Sequence, residues 1–201
     1  MRARRNPLMP IKITGADALI IIDLQNDFCP GGALPVPGGD AVVPVINEYI
    51  SIFVNAEGHV FATRDWHPPG HGSFNENGGP WPNHCVQGTP GAEIHDGVAL
   101  PSSAIIIDAG TDPELEGYSG FEDTELEEML RKKGVTRLFI GGLATDYCVK
   151  HTVLDGLRHG FDVVYLDDAS RGIDAEPDDC ERAIQEMTGL GAVTGTIEDI
   201  D

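Results

Sequence analysis

Lysine is scarce in this chain. Four of 201 residues are lysine (Lys12, Lys132, Lys133, Lys150), against 33 acidic side chains. The resulting formal net charge of −20 excludes a nucleic-acid or acidic-lipid surface, since both demand basic patches. Cysteine is also sparse. Cys29, Cys85, Cys148 and Cys180 are widely spaced with no C-x-x-C pair, which excludes a dense disulfide framework and points to a reduced, cytoplasmic protein. No apolar run approaches the length of a membrane span. Met1–Pro7 is basic, but Ala18–Ile22 is too short for a signal core and ends in charge, so no secretory signal is expected and the arginines read as a frayed terminus. Internal repeats and low-complexity linkers are missing too.

Apolar, strand-like runs alternate with amphipathic, helix-like ones. Strands are expected at Ala18–Ile22, His59–Thr63, Ala104–Ile107, Arg137–Ile140, Asp162–Leu166 and Ala192–Thr194. Helices are expected at Asp40–Ala56, Thr124–Lys133, Thr145–His159 and Asp178–Met187. Nearly all-apolar strands separated by helices predict an α/β domain with a parallel sheet covered on both faces. The length suits one domain, residues 17–201, behind an N-terminal extension of residues 1–16. From Pro68 to Pro101 the chain is rich in Gly, Pro and Asn, and loops of that length inside a compact domain tend to be functional. The acidic runs at 174–179 and 198–201 read as solvated faces.

Ligands of open α/β sheets bind outside the carboxyl ends of the strands. Asp23 follows the first strand, Asp65 and His67 the second, and Cys148 the fourth, so distant polar residues gather at one sheet edge. Cys148 lies where a helix should begin, after the Gly141-Gly142 break. Exposed N–H groups and the macrodipole there favour a thiolate and could stabilise an oxyanion. Asp65 and His67, two residues apart, face the same way from an extended segment, and His84 could add a third ligand. One carboxylate and two imidazoles suit zinc, iron or manganese, although His71 lies nearby as well. His95, His151 and His159 read as ordinary surface or helix histidines.

Taken together, the chain resembles the nicotinamidase branch of the isochorismatase-like cysteine hydrolases. The resemblance rests on Ile22-Asp23-Leu24-Gln25-Asn26-Asp27-Phe28, Thr63-Arg64-Asp65-Trp66-His67-Pro68, His71-Gly72-Ser73-Phe74 and Trp81-Pro82-Asn83-His84-Cys85. Tyr118-Ser119-Gly120-Phe121 and Gly142-Leu143-Ala144-Thr145-Asp146-Tyr147-Cys148 complete it in order and spacing. It implies a three-layer αβα fold with a six-stranded parallel sheet, and hydrolysis of nicotinamide, and of pyrazinamide, to the acid and ammonia. By motif position Cys148 is the expected nucleophile, attacking to form a thioester, and Asp23 the general base. Asp65, His67 and His84 are the expected metal ligands, zinc first, with Ser73 nearby through water. Phe28 and Trp81 are expected to sandwich the substrate ring, beside Tyr118, while the N–H groups of Ala144 and Cys148 form an oxyanion hole. A cis Leu143–Ala144 peptide, a homo-oligomer and a place in NAD salvage follow from the resemblance as well.

One position departs. The family's catalytic lysine precedes a Gly-Thr-Asp-Pro run, and here Ala109 stands before Gly110-Thr111-Asp112-Pro113. Without that cation, Asp23 should be harder to ionise and Cys148 less often a thiolate. An otherwise complete constellation reads as an engineered replacement that impairs turnover. The alternative is a catalytically silent nicotinamide-binding pseudoenzyme. A related cysteine amidase acting on another small amide is a third reading, against which the His84 motif speaks.

Overall fold

The computed structural model describes residues 10–201, so the basic Met1–Pro7 segment lies outside the described residues. Six strands form one parallel sheet: β1 (Asp17–Ile22), β2 (His59–Asp65), β3 (Ile105–Ala109), β4 (Arg137–Leu143), β5 (Asp162–Arg171) and β6 (Val193–Gly195). Their spatial order is β3-β2-β1-β4-β5-β6. The chain therefore builds outward from β1 in one direction, then returns to its other side with β4. That reversal opens a crevice beyond the carboxyl ends of β1 and β4, where this architecture seats ligands.

All six residues of β1 are buried, as a central strand covered on both faces requires. Leu19 and Ile21 pack into one apolar layer with Ile46, Tyr49, Ile50 and Phe53, the i, i+3, i+4 face of α1 (Val43–Asn55). Ala18, Ile20 and Ile22 enter the opposite layer, with residues of α2 (Leu126–Lys132), α3 (Lys150–Arg158) and α4 (Asp179–Gly189). One helix thus covers one face and three cover the other. The close approach of β4 to β1 depends on Gly142, at φ 131°: a Cβ there would stand 2.1 Å from the Ile22 carbonyl oxygen.

Several expectations shift. A 3₁₀ turn at Gly39–Val42 precedes α1, where one helix from Asp40 was expected. β5 runs on to Arg171, five residues past the expected end, because its pairing with β4 slips at an irregularity between Ile140 and Gly142 and then resumes. The expected helix Thr145–His159 is divided into a π-helical turn, Thr145–Val149, and then α3. Within the expected N-terminal extension, Ile13 is buried in the core and Ile11 bridges Ile200. The 174–179 acidic run is more than a solvated face: Asp174 accepts the Cys180 N–H and Asp179 accepts the Glu176 N–H, tying the turn that starts α4.

Candidate active site and metal centre

Asp23 leaves β1 in a left-handed conformation (φ 45°), which turns its buried side chain toward β2. There the Thr63 hydroxyl donates to Asp23 Oδ1 at 2.6 Å and accepts the Asp23 N–H at 3.2 Å. The carboxyl group also hydrogen-bonds the Cys148 thiol. Asp23, Asp65 and Cys148 hold their polar atoms within 4.8 Å of one another. Burial and the neighbouring charge of Asp65 push Asp23 up to about 8. Burial, then Asp23 and Asp65, push the Cys148 thiol well above its ordinary value.

The raised thiol runs against the expectation of a helix-stabilised thiolate and in the direction expected from Ala109. Cys148 sits inside the π turn, buried, where desolvation and the charges of Asp23 and Asp65 act against the thiolate. Ala109 is buried at the end of β3, paired in register with Asp65. Strand alternation puts its Cβ on the same face as Ile107, whose apolar layer includes Cys148. A side chain at this position therefore points to the same side of the sheet as that layer.

Asp65, His67 and His84 hold one ligand atom each within a 4.8 Å cluster, all three residues buried. Asp65 Oδ2 lies 3.4 Å from His67 Nε2 and 3.8 Å from His84 Nε2. His67 Nδ1 meets the Gly110 carbonyl at 2.9 Å and His84 Nδ1 meets the Pro82 carbonyl at 2.8 Å. Those carbonyls require Nδ1–H, so each ring turns its Nε2 toward Asp65, the orientation in which imidazoles bind a metal. Among the described residues, Asp65 Oδ1 is buried without a hydrogen-bond partner. An unpaired carboxylate oxygen beside two imidazole Nε2 atoms fits a divalent cation. Burial lowers His84. Burial also acts against a charged His67, but the hydrogen bond and charge of Asp65 outweigh it and leave that ring raised.

Ser73 Oγ is bound to His71 Nδ1 at 2.8 Å. His71 is fully buried, its ring 4.2 Å from that of His67 and its Nε2 3.1 Å from the Asp112 carbonyl oxygen. It thus buttresses His67 from outside the cluster. His151 is also more than an ordinary helix histidine, because it stacks on Tyr118 at 5.3 Å. Tyr118 in turn accepts the Trp81 indole N–H at 3.0 Å.

Phe28, Asp65, Trp81, His84, Tyr118, Ala144 and Cys148 line one narrow cleft. The Leu143–Ala144 peptide leading into it is cis. Leu34, Val36, Tyr147 and Ile173 complete the lining.

Sequence reasoning gave no role to Gln25, Asp27 or Asp146, all of which organise this cleft. Gln25, fully buried, donates to the carbonyls of Asp65 and Ala92 and accepts the Asp65 N–H, each at 2.8 Å. Asp27 accepts the N–H of Cys85 at 2.7 Å, next to His84, and that of Ala33 at 3.1 Å. Asp146 accepts the N–H groups of Ile173 and Asp174. The signal was present for the first two: an amide and a carboxylate beside an apolar strand end, inside a matched motif.

A doubly wound sheet with a buried cysteine, a carboxylate and a metal-ligand cluster at its switch point defines the class of α/β cysteine hydrolases. Residues 17–199 match the isochorismatase domain model, and the chain belongs to that family. It is 40% identical over 203 residues to the nicotinamidase of Escherichia coli (strain K12), covering 90% of this chain and 95% of that protein. The pyrazinamidase of Pyrococcus horikoshii, solved in complex with zinc, superposes with a TM-score of 0.87 at 53% identity, over 90% of this chain and 99% of that one. PnC1 from L. infantum, solved in complex with nicotinate, gives a TM-score of 0.87 at 34% identity, over 96% and 98% of the two chains.

Proposed function

We propose that this chain is a metal-dependent nicotinamidase, converting nicotinamide to nicotinate and ammonia and accepting pyrazinamide. The observation that carries this reading is the convergence of Asp23, Cys148 and the Asp65–His67–His84 cluster on one small aromatic-walled cleft. Cys148 is the nucleophile. Asp23, hydrogen-bonded to the thiol, takes its proton as sulfur attacks the carboxamide carbon, and returns it to the departing ammonia. Water then cleaves the thioester. Phe28 and Trp81 hold the flat ring, with Trp81 fixed by Tyr118. The N–H groups of Ala144 and Cys148 stabilise the tetrahedral oxyanion.

Asp65, His67 and His84 hold a divalent ion, zinc by analogy with the Pyrococcus horikoshii structure. When bound, it supplies a Lewis-acid contact that orients the pyridine nitrogen. A cytoplasmic homo-oligomer serving NAD salvage accords with this activity.

Ala109 impairs this chain. A lysine there would lower both raised pKa values, holding Asp23 ionised and the thiol closer to thiolate. A second reading, a silent nicotinamide-binding protein, is favoured by those same raised values.

Ammonia release from nicotinamide by the zinc-loaded chain and by Ala109→Lys, side by side, separates them. A silent parent with an active lysine variant supports an enzyme disabled at one residue. Two silent proteins that still bind nicotinamide support the pseudoenzyme. If neither binds a pyridine carboxamide, both readings fail.

A further inference from the structure

Asp146 lies two residues before Cys148 in the same π turn, and its carboxylate is buried. It faces away from the reacting pair, toward the segment that leaves β5. Oδ1 accepts the Ile173 N–H at 3.0 Å and Oδ2 accepts the Asp174 N–H at 2.9 Å, so both oxygens are committed to consecutive backbone amides. The approach is close. A Cβ on Gly172 would meet Asp146 Oδ1 at 2.8 Å and Cys180 Sγ at 2.0 Å, so a larger residue there would have to displace one of these side chains. Ile173, the residue held, lines the cleft together with Leu34 and Val36.

We propose that Asp146 is a positioning residue that fastens Ile173 to the nucleophile turn, making Ile173 the wall that decides which ring-substituted azine carboxamides enter. The inference rests on the amidase reading for its ligand class, but the tether itself does not. The physical reason is the shape of the contact. A carboxylate is acceptor-only and can receive two adjacent N–H groups, whereas an asparagine must turn its own NH₂ toward one of them. Asp146→Asn thus loosens the strap while keeping side-chain size. Ile173→Ala removes the wall and leaves the strap intact.

Two readouts test this on the zinc-loaded protein. The first is hydrogen exchange at the amides of Ile173 and Asp174, expected to accelerate at least tenfold in Asp146→Asn while exchange in β1 and β4 stays as in the parent. Unchanged exchange at those two amides overturns the tether whatever the chain binds. The second is binding of nicotinamide and of its ring-methylated analogues, one for each free ring carbon. Ile173→Ala is expected to narrow discrimination against at least one methyl position about tenfold. Asp146→Asn should relax the same position, and the double variant should add nothing further. Additive effects, or relaxation at a different position, overturn action through Ile173. A parent chain that binds none of these amides removes the ligand class and sinks the amidase reading with it, and exchange alone then decides the tether.

Discussion

Two clusters share one cleft and balance their charge differently. In the Asp65–His67–His84 cluster a carboxylate stands beside two imidazoles whose outer nitrogens are pinned by the Gly110 and Pro82 carbonyls. In the Asp23–Cys148 cluster two acids stand together, and the strongest influences on each are burial and further acids. The first is ready to receive a cation. The second holds its acids with burial raising both groups and Ala109 at the end of β3. Pre-organisation and charge balance are therefore separate properties of a site, and the proposed role of position 109 concerns only the second.

The largest expected effect comes from removing that difference. Ala109→Lys should raise nicotinamide turnover by about 10²–10⁴-fold, the range general acid–base groups contribute. Because a nearby cation favours both anions, it should also move the alkylation of Cys148 by iodoacetamide to lower pH. An alkylation profile that stays in place would mean that the lysine does not reach the pair. Next comes damage to the other cluster. His84→Ala should weaken zinc retention, followed by metal content after dialysis, by more than the roughly 10–100-fold that loss of an outer-shell partner costs. Full retention would remove His84 from the metal site.

A smaller effect is expected from Gln25→Ala, which strands the Asp65 amide and two carbonyls. Stability to denaturant should fall by about 2 kcal/mol, within the 1–3 kcal/mol typical of a buried group left unpaired. A loss below roughly 0.5 kcal/mol would show that water replaces the amide. The smallest is Tyr118→Phe, which deletes the acceptor for Trp81. Nicotinate affinity measured by calorimetry should drop about fivefold, matching the ~1 kcal/mol of one hydrogen bond.

Much of this was legible along the chain. The apolar runs of β1 and β4 and the 3.6-residue pattern of α1 are local signals, and each falls on its expected element to within a few residues. Asp23, Asp65, His67 and Cys148 could be picked out because they fall at or just after strand ends, where apolar gives way to polar, whereas His84, in the long loop, was picked out by its motif. Gln25 and Asp146 were harder. Their partners are backbone groups 27 to 67 residues away, and no side-chain pattern marks a distant amide.

The sequence by itself determined the α/β alternation, the residues at the strand ends, and the absence of a lysine at position 109. Only the tertiary structure decided the rest: that β4 returns beside β1 and opens the crevice between them, that His71 buttresses His67, and that burial with two carboxylates pushes the Cys148 thiol up. The reason is the range of the forces. Periodicity and turn chemistry act over a few residues. Desolvation and charge act on whatever the fold brings within several ångströms, and for Cys148 that means Asp23 and Asp65, both more than 80 positions away in the chain.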